Sequence, residues 1–163
     1  MIVVSDTSPL RALSAIGRLD LIPALFGEAF LPPAVMQELL VPVPDLPLFV
    51  AEDIPFLVMR RPLDVQRVSE LHLRLNSGEA EAISLALELR ADAILIDERL
   101  GRREAEKLGL RAIGVLGILA DAKQRGLIES LSPQIEQLRS RIGFRISEEL
   151  LNRVLRDVGE SAS

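Results

Sequence analysis

Four acidic residues stand where their side chains could meet at one edge of a sheet. Asp6 and Asp97 each follow a short apolar run, and Glu38 and Glu79 fall within two predicted helices. The carboxyl ends of parallel strands lie along one edge, where ligands bind in open α/β sheets, so Asp6 and Asp97 could be neighbours. Four such carboxylates would repel one another unless they bound a cation or some were protonated. Divalent ions such as Mg²⁺ take oxygen ligands and can activate water for phosphodiester hydrolysis, which requires no histidine base.

Each of these acids also has a purely structural interpretation. The chain contains 24 acidic residues, and most exposed Asp and Glu side chains are simply solvated. Asp6 and Asp97 could each cap the helix that follows, and Glu79 could complete a capping box that begins at Asn76. Composition alone therefore does not single out these residues.

Glu38 is the hardest of the four to explain as a solvated residue. Val35 and Leu39 flank it on the same predicted helix and indicate that it lies beside a buried stripe. Glu81 and Glu98 lie close in sequence to two of the four acids, and we predict supporting or solvated positions for them.

Alternating strands and helices are predicted along the chain, a pattern typical of a parallel sheet with helices on both faces. The predicted strands cover residues 2–4, 29–31, 54–59, 93–96 and 110–113. The predicted helices cover residues 9–16, 21–26, 32–40, 63–75, 76–89, 99–108, 115–125, 133–141 and 148–158. Three prolines with few helix formers predict a loop over residues 41–53.

Length and composition predict a single cytoplasmic domain. A chain of 163 residues can bury a sizeable core, and no apolar run reaches the about 18 residues that a membrane-spanning helix needs. No basic segment precedes an apolar one at the start, so no signal peptide is expected. Cysteine is absent, which excludes disulfides and thiolate chemistry. Apolar residues make up 48% and the mean hydropathy is +0.28, which favours a subunit interface.

Charge and aromatic content narrow the classes of nucleic-acid partner. The net charge is −5, which argues against binding nucleic acid through an overall positive field. It is compatible with acids that collect a divalent cation, because the cation then supplies local positive charge. Trp and Tyr are absent and aromatic residues total 3%, so a platform that stacks bases is not expected.

Four segments resemble a PIN domain, and more narrowly the VapC-like toxins of type II toxin–antitoxin pairs. In order they read Val-Val-Ser-Asp-Thr-Ser-Pro-Leu, Leu-Pro-Pro-Ala-Val-Met-Gln-Glu-Leu, Ser-Gly-Glu-Ala-Glu-Ala-Ile-Ser-Leu-Ala and Ile-Leu-Ile-Asp-Glu-Arg. The resemblance covers residues 1–125, the predicted nuclease domain. Residues 126–163 are similar to a C-terminal helical extension, packed on the same domain, that is found in one subgroup.

The resemblance implies a fold, an activity and partners. The fold would be a three-layer α/β/α arrangement with a central, mostly parallel sheet and extra C-terminal helices. The activity would be that of a Mg²⁺- or Mn²⁺-dependent endoribonuclease, acting on RNA as a homodimer and neutralised by a cognate antitoxin protein.

The resemblance also assigns catalytic and metal-binding roles to the four acids. Asp6, Glu38 and Asp97 match the first, second and fourth acids of the family. Glu79 stands where many members have Asp, so the carboxylate is kept and its reach is longer. Asp97 lies in Leu-Ile-Asp, where relatives often have Thr-x-Asp. Ser8 matches a small hydroxyl residue that helps to position the metal or the first loop.

Basic residues directly after Asp97 could position the substrate. Arg99, Arg102 and Arg103 could contact a phosphate backbone or form an ordinary solvated helix face. We predict substrate positioning by Ser8, Glu98 and Arg99.

A different class of function also fits the sequence. High hydropathy and an acidic pI are compatible with a catalytically weak PIN-fold module that binds or assembles with a protein partner. A phosphoaspartate mechanism is disfavoured, because Ser8 occupies the second acidic position of an Asp-x-Asp signature.

Overall fold

A wholly parallel sheet of five short strands forms the centre of the molecule. The computed structural model describes residues 1–160. The strands are β1 (Val3–Ser5), β2 (Ala29–Leu31), β3 (Leu57–Met59), β4 (Ala93–Leu95) and β5 (Ala112–Ile113). Their spatial order is β3-β2-β1-β4-β5, and each neighbouring pair is parallel. The strand order therefore reverses between β1 and β4, where open α/β sheets form a crevice for ligands.

Helices connect the strands and continue beyond the last one. They are α1 (Thr7–Ala15), α2 (Leu21–Phe26), α3 (Pro33–Leu40), α4 (Val65–His72), α5 (Ser77–Glu88), α6 (Arg99–Lys107), α7 (Val115–Gln124), α8 (Ser132–Ile142) and α9 (Glu148–Asp157). A single 3₁₀ turn covers Ala51–Asp53.

Local hydrogen bonds shorten two of the predicted elements. The predicted strand over 54–59 pairs only from Leu57 onward, because the Leu57 N–H donates to the Ile54 carbonyl in a turn at 3.0 Å. The predicted helix over 63–75 begins later than expected because the Asp64 carboxylate caps it, accepting from the Arg67 N–H at 3.0 Å. The loop predicted over 41–53 ends in the 3₁₀ turn.

Side chains that alternate along the strands divide the core into two layers. Val3 and Leu95 pack in a cluster with apolar residues of α1, α2, α3 and α7. Val4, Ile94 and Ile96 pack on the opposite face against α4, α5 and α6. This alternation follows from the two-residue period of a strand. The predicted three-layer α/β/α fold is confirmed.

The last two helices pack on the α1 face of the sheet. Leu138 of α8 and Leu155 of α9 are buried in the same apolar cluster as Val3. Residues of the extension predicted over 126–163 therefore share the main apolar core, and its last three residues lie outside the described part of the chain. Within residues 1–160, no helix is both long enough and apolar enough to cross a membrane.

Glu160 fastens the end of this segment to the rest of the fold. Its carboxylate accepts hydrogen bonds from Lys123 Nζ at 2.7 Å, the Leu131 N–H at 2.6 Å and the Ser132 N–H at 3.2 Å. Burial alone would raise the pKa of Glu160, but these three donors outweigh it and the pKa is lowered. The ionised side chain thus joins α7 to the start of α8.

We predict that Glu160→Gln destabilises the protein by roughly 1–2 kcal/mol at neutral pH, because the charge that strengthens the three hydrogen bonds is lost. A lowered pKa in the folded state gives stabilisation above the unfolded pKa, and this stabilisation is lost as pH falls through the folded value. The gap in Tm between variant and wild type should therefore close in acid.

Thermal unfolding followed by circular dichroism at several pH values measures this gap. Glu129→Gln is the matched control, because Glu129 is exposed and makes no hydrogen bond or ion pair within residues 1–160. An equal Tm for the two variants at neutral pH would contradict the role given to Glu160.

Candidate active site

Strand pairing brings Asp6 and Asp97 to the edge where the strand order reverses. Ser5 pairs with Leu95 in register, and the Asp6 N–H donates to the Leu95 carbonyl at 2.8 Å. Asp6 occupies the N-cap position of α1, yet its carboxylate makes no capping hydrogen bond. The capping interpretation of Asp6 is therefore wrong, and its buried carboxylate, 4% exposed, is available for other contacts.

Glu38 reaches the same edge from α3, and this residue is exposed although Val35 and Leu39 of the same helix are buried. Its Oε2 accepts a hydrogen bond from Thr7 Oγ1 at 2.6 Å. A Cβ atom placed on Gly78 would lie 2.9 Å from Glu38 Oε1 and 3.3 Å from Asp6 Oδ1, so both oxygens border one small space. Arg11 fixes the end of α3 by donating to the backbone carbonyls of Glu38 and Val41.

Glu79 has a structural role and a place in the site. Its Oε1 accepts from the Asn76 N–H at 3.2 Å, while the Glu79 N–H donates to Asn76 Oδ1 at 2.8 Å. The predicted capping box is therefore confirmed. The second oxygen, Oε2, lies 2.8 Å from the position that a Cβ on Gly101 would take. Glu79 as a residue is 6% exposed.

Asp97 does not cap the helix that follows it. Glu98 occupies the N-cap of α6, and Asp97 Oδ1 instead accepts from the Val115 N–H at 3.0 Å. Asp97 therefore binds the first turn of α7, which directly follows β5. A Cβ on Gly114 would lie 2.6 Å from Asp97 Oδ1 and 2.8 Å from Arg102 Nη1, so Arg102 lies close to this carboxylate.

The four predicted acids interact electrostatically across the edge. Burial, together with the smaller effects of the charges of Glu79, Glu38 and Asp97, raises the pKa of Asp6 to about 7, and the Thr7 N–H opposes this rise. We refer below to Asp6, Glu38, Glu79 and Asp97 as the acidic cluster.

The pKa values of two other members are raised for the same reasons. Burial raises the pKa of Glu79, against the N–H that it accepts, and Glu98 and Glu38 add to the rise. Burial also raises the pKa of Asp97, where the accepted N–H and Arg102 oppose it and Glu98 adds to it. The acidic cluster thus holds negative charge that the protein itself leaves poorly compensated.

A family model for DUF3368, a PIN domain, matches residues 2–160. The chain belongs to the PIN-domain family. Comparisons with curated proteins and with solved structures found no match. PIN domains are generally nucleases, and they usually use divalent metal ions.

The donor set of this PIN domain fits a hard divalent cation, because carboxylate oxygens are the ligands that such ions take. Within residues 1–160, no three His, Asp or Glu side chains already stand as a complete set of ligands for one ion. Glu38, Glu79 and Asp97 each use one carboxylate oxygen to accept a hydrogen bond. The donors are Thr7, Asn76 and Val115 respectively. Their second oxygens accept no hydrogen bond from the described part of the chain.

The three predicted substrate-positioning residues lie together beside Asp97. Ser8, Glu98 and Arg99 line a cavity of about 280 Å³ that Asp97 also borders. The structure therefore brings all seven predicted site residues to one region of this PIN domain.

Sequence reasoning missed Thr7 and three glycines that touch the acidic cluster. Gly78, Gly101 and Gly114 each leave space that a Cβ would take from a carboxylate oxygen. One signal was present at Gly101, since glycine inside a helix costs about 1 kcal/mol relative to alanine and so indicates a close approach.

We predict that Asp6→Asn stabilises the metal-free protein at pH 8. Because folding raises the pKa of Asp6 from 3.8 to about 7, the folded state binds more protons than the unfolded state between these values. Stability is therefore lost as pH rises through this window, by roughly 2–4 kcal/mol in full. The advantage of the variant should grow from near zero at pH 4 to its maximum above pH 7.

Melting curves in EDTA across this pH range test the prediction. Asp53→Asn serves as control, because Asp53 is exposed and its side chain makes no hydrogen bond in the described residues. A Tm difference for Asp6→Asn that is independent of pH would show that Asp6 carries no such penalty.

We predict that Gly101→Ala displaces Glu79. The new Cβ would lie 2.6 Å from Ile96 Cδ1 and 2.8 Å from Glu79 Oε2. Overpacking of this kind costs roughly 1–3 kcal/mol and exceeds the roughly 1 kcal/mol gained in helix propensity. A lower Tm than that of Gly117→Ala, whose Cβ would meet only Ile113 at 3.1 Å, is the expected result. A Tm above wild type would contradict the close approach.

Proposed function

We propose that this PIN domain is a metal-dependent endoribonuclease whose acidic cluster holds Mg²⁺ or Mn²⁺. The convergence of the four carboxylates at the reversal of strand order, with the pKa of Asp6 at about 7, is the observation that supports it. When bound there, a divalent cation supplies positive charge that promotes ionisation of water and offsets charge developing on the scissile phosphate.

The chain's own residues orient the acids for this task. Thr7 holds Glu38, the Asn76 N–H holds Glu79 and the Val115 N–H holds Asp97, each through one carboxylate oxygen. The hydrogen-bonded oxygens fix the rotamers, so little conformational entropy is lost when the remaining oxygens bind a cation. Burial of Asp6 and Glu79 limits competing water and strengthens electrostatic interactions inside the site.

The narrower proposal is that the protein is the toxin of a type II pair, with a cognate antitoxin and a homodimeric state. The resemblance of the four segments to VapC-like toxins supports it. Large apolar side chains on β3, α4 and the adjoining turns support a protein partner, because Met59, Leu63, Val65 and Leu73 are 57%, 84%, 73% and 85% exposed. Cellular RNA as substrate places the proposed action in the cytoplasm.

A binding or assembly module with little turnover is the second candidate. The observation that favours it is the same exposed apolar surface, together with the backbone hydrogen bonds that occupy one oxygen of Glu79 and of Asp97. A folded protein that binds its partner but cleaves no RNA with any divalent ion would support this alternative.

We predict that the purified protein cleaves a mixed RNA pool in Mg²⁺ or Mn²⁺ and not in EDTA. Asp6→Asn and Asp97→Asn should each lower the cleavage rate by about 100-fold or more, the scale of losing one strong electrostatic contribution to a transition state. Gel analysis of the digested pool gives the rates.

Two controls separate loss of chemistry from loss of fold. Asp53→Asn should cleave as wild type does, and melting curves should show that both site variants remain folded. Cleavage at the wild-type rate by either site variant would contradict the assignment of the acidic cluster.

A further inference from the structure

Asp97 lies between two adjoining cavities whose walls carry arginines. The larger cavity, of about 490 Å³, is bordered by Asp97 together with Arg102, Arg145 and Arg153. The smaller one, of about 280 Å³, is bordered by Asp97, Arg99 and Arg145. Both cavities share Asp97, Phe144 and Arg145, so together they form one cleft beside the acidic cluster.

Two of these arginines come from the C-terminal segment: Arg145 lies in the connection between α8 and α9, and Arg153 lies on α9. Gly143 ends α8 in the left-handed conformation, with φ at +64°, and the Phe144 N–H donates to the Leu138 carbonyl at 3.2 Å. The Phe144 ring packs against the main apolar cluster and so places Arg145 at the cleft. Leu155 is buried in that cluster and fixes α9, which carries Arg153.

The arginines of the cleft, like most arginines of residues 1–160, form no ion pair within 4.0 Å. Arg18, Arg67, Arg74, Arg125 and Arg139 each have an acidic partner within 4.0 Å. None of the ion pairs within this distance among residues 1–160 involves Arg102, Arg145 or Arg153. Four arginines border the cleft against the two carboxylates of Asp97 and Glu98, so the cleft has a net positive charge in a chain of net charge −5.

A phosphodiester backbone is the ligand that fits this cleft. Guanidinium groups match phosphate geometry through paired hydrogen bonds and remain charged at any physiological pH. The cleft leads directly to Asp97, so phosphates bound there would belong to the same strand whose scissile bond lies at the acidic cluster.

We propose that Arg102, Arg145 and Arg153 bind the phosphate backbone of the RNA strand beside Asp97. The C-terminal segment thereby supplies part of the substrate-binding surface, through Arg145 and Arg153. This inference rests on the proposed nuclease function, because that function makes RNA the ligand of the site.

Binding of a short fluorescent single-stranded RNA in EDTA tests the inference without cleavage. The double variant Arg145→Ala/Arg153→Ala should bind about tenfold or more weakly, and its plot of log K against log salt should be shallower by about 0.7 for each arginine removed. A DNA strand of the same sequence should show the same loss. A loss confined to RNA would contradict phosphate as the contacted group.

The matched control is Arg141→Ala/Arg156→Ala. It removes the same charge from the same C-terminal segment, where Arg141 lies on α8 and Arg156 on α9, and both residues are exposed and outside the two cavities. It should bind the RNA nearly as tightly as wild type does. Equal affinities for the two double variants would overturn the inference. Melting curves for both variants confirm that each is folded.

Cleavage assays on the same proteins separate this inference from the nuclease proposal. If wild type cleaves RNA and the cleft variant binds and cleaves equally well, the inference fails and the nuclease proposal stands. If RNA binding depends on the cleft but no divalent ion supports cleavage, the cleft is supported and the nuclease proposal fails. If wild type neither binds nor cleaves RNA, both fail.

Discussion

Burial of carboxylates that stand close together is the constraint on which the rest of the site depends. Parallel pairing of β1 with β4 places Asp6 and Asp97 at the one edge where the strand order reverses, and α3 and α5 bring Glu38 and Glu79 to them. Two of the four side chains are almost fully buried, so water screens little of their charge. The resulting rise in the pKa of Asp6 is a cost in stability that an ordinary structural site would not retain.

The surrounding residues make room for the acids and fix them. Three glycines keep Cβ atoms out of the space that the carboxylate oxygens occupy, at Gly78, Gly101 and Gly114. Hydrogen bonds that also stabilise helix ends hold Glu79 and Asp97 in place. Capping and function are therefore compatible in the same side chain, because a carboxylate has two oxygens and the cap uses only one of them.

The sequence predicts the layers of the fold and the members of the acidic cluster, because both depend on local patterns. Apolar runs identify β1 and β4, and the acids that end them fall at one edge in any parallel sheet. The capping box at Asn76 is equally local. Contacts between distant segments were not predictable, such as the bond from Asp97 to Val115 and the placement of Arg145 by Phe144. They depend on how helices pack over the sheet, which no short pattern specifies.

The acidic cluster carries negative charge that the protein leaves uncompensated, and a divalent cation bound there would neutralise it. Calorimetric titration of Mn²⁺ at pH 6, in buffers with different enthalpies of ionisation, tests this claim most directly. Because the pKa of Asp6 is about 7, most molecules carry a proton there at this pH, and binding should release close to one proton. Asp6→Asn should bind Mn²⁺ more weakly and release fewer protons than wild type. Binding without proton release, or equal binding by the variant, would contradict the account.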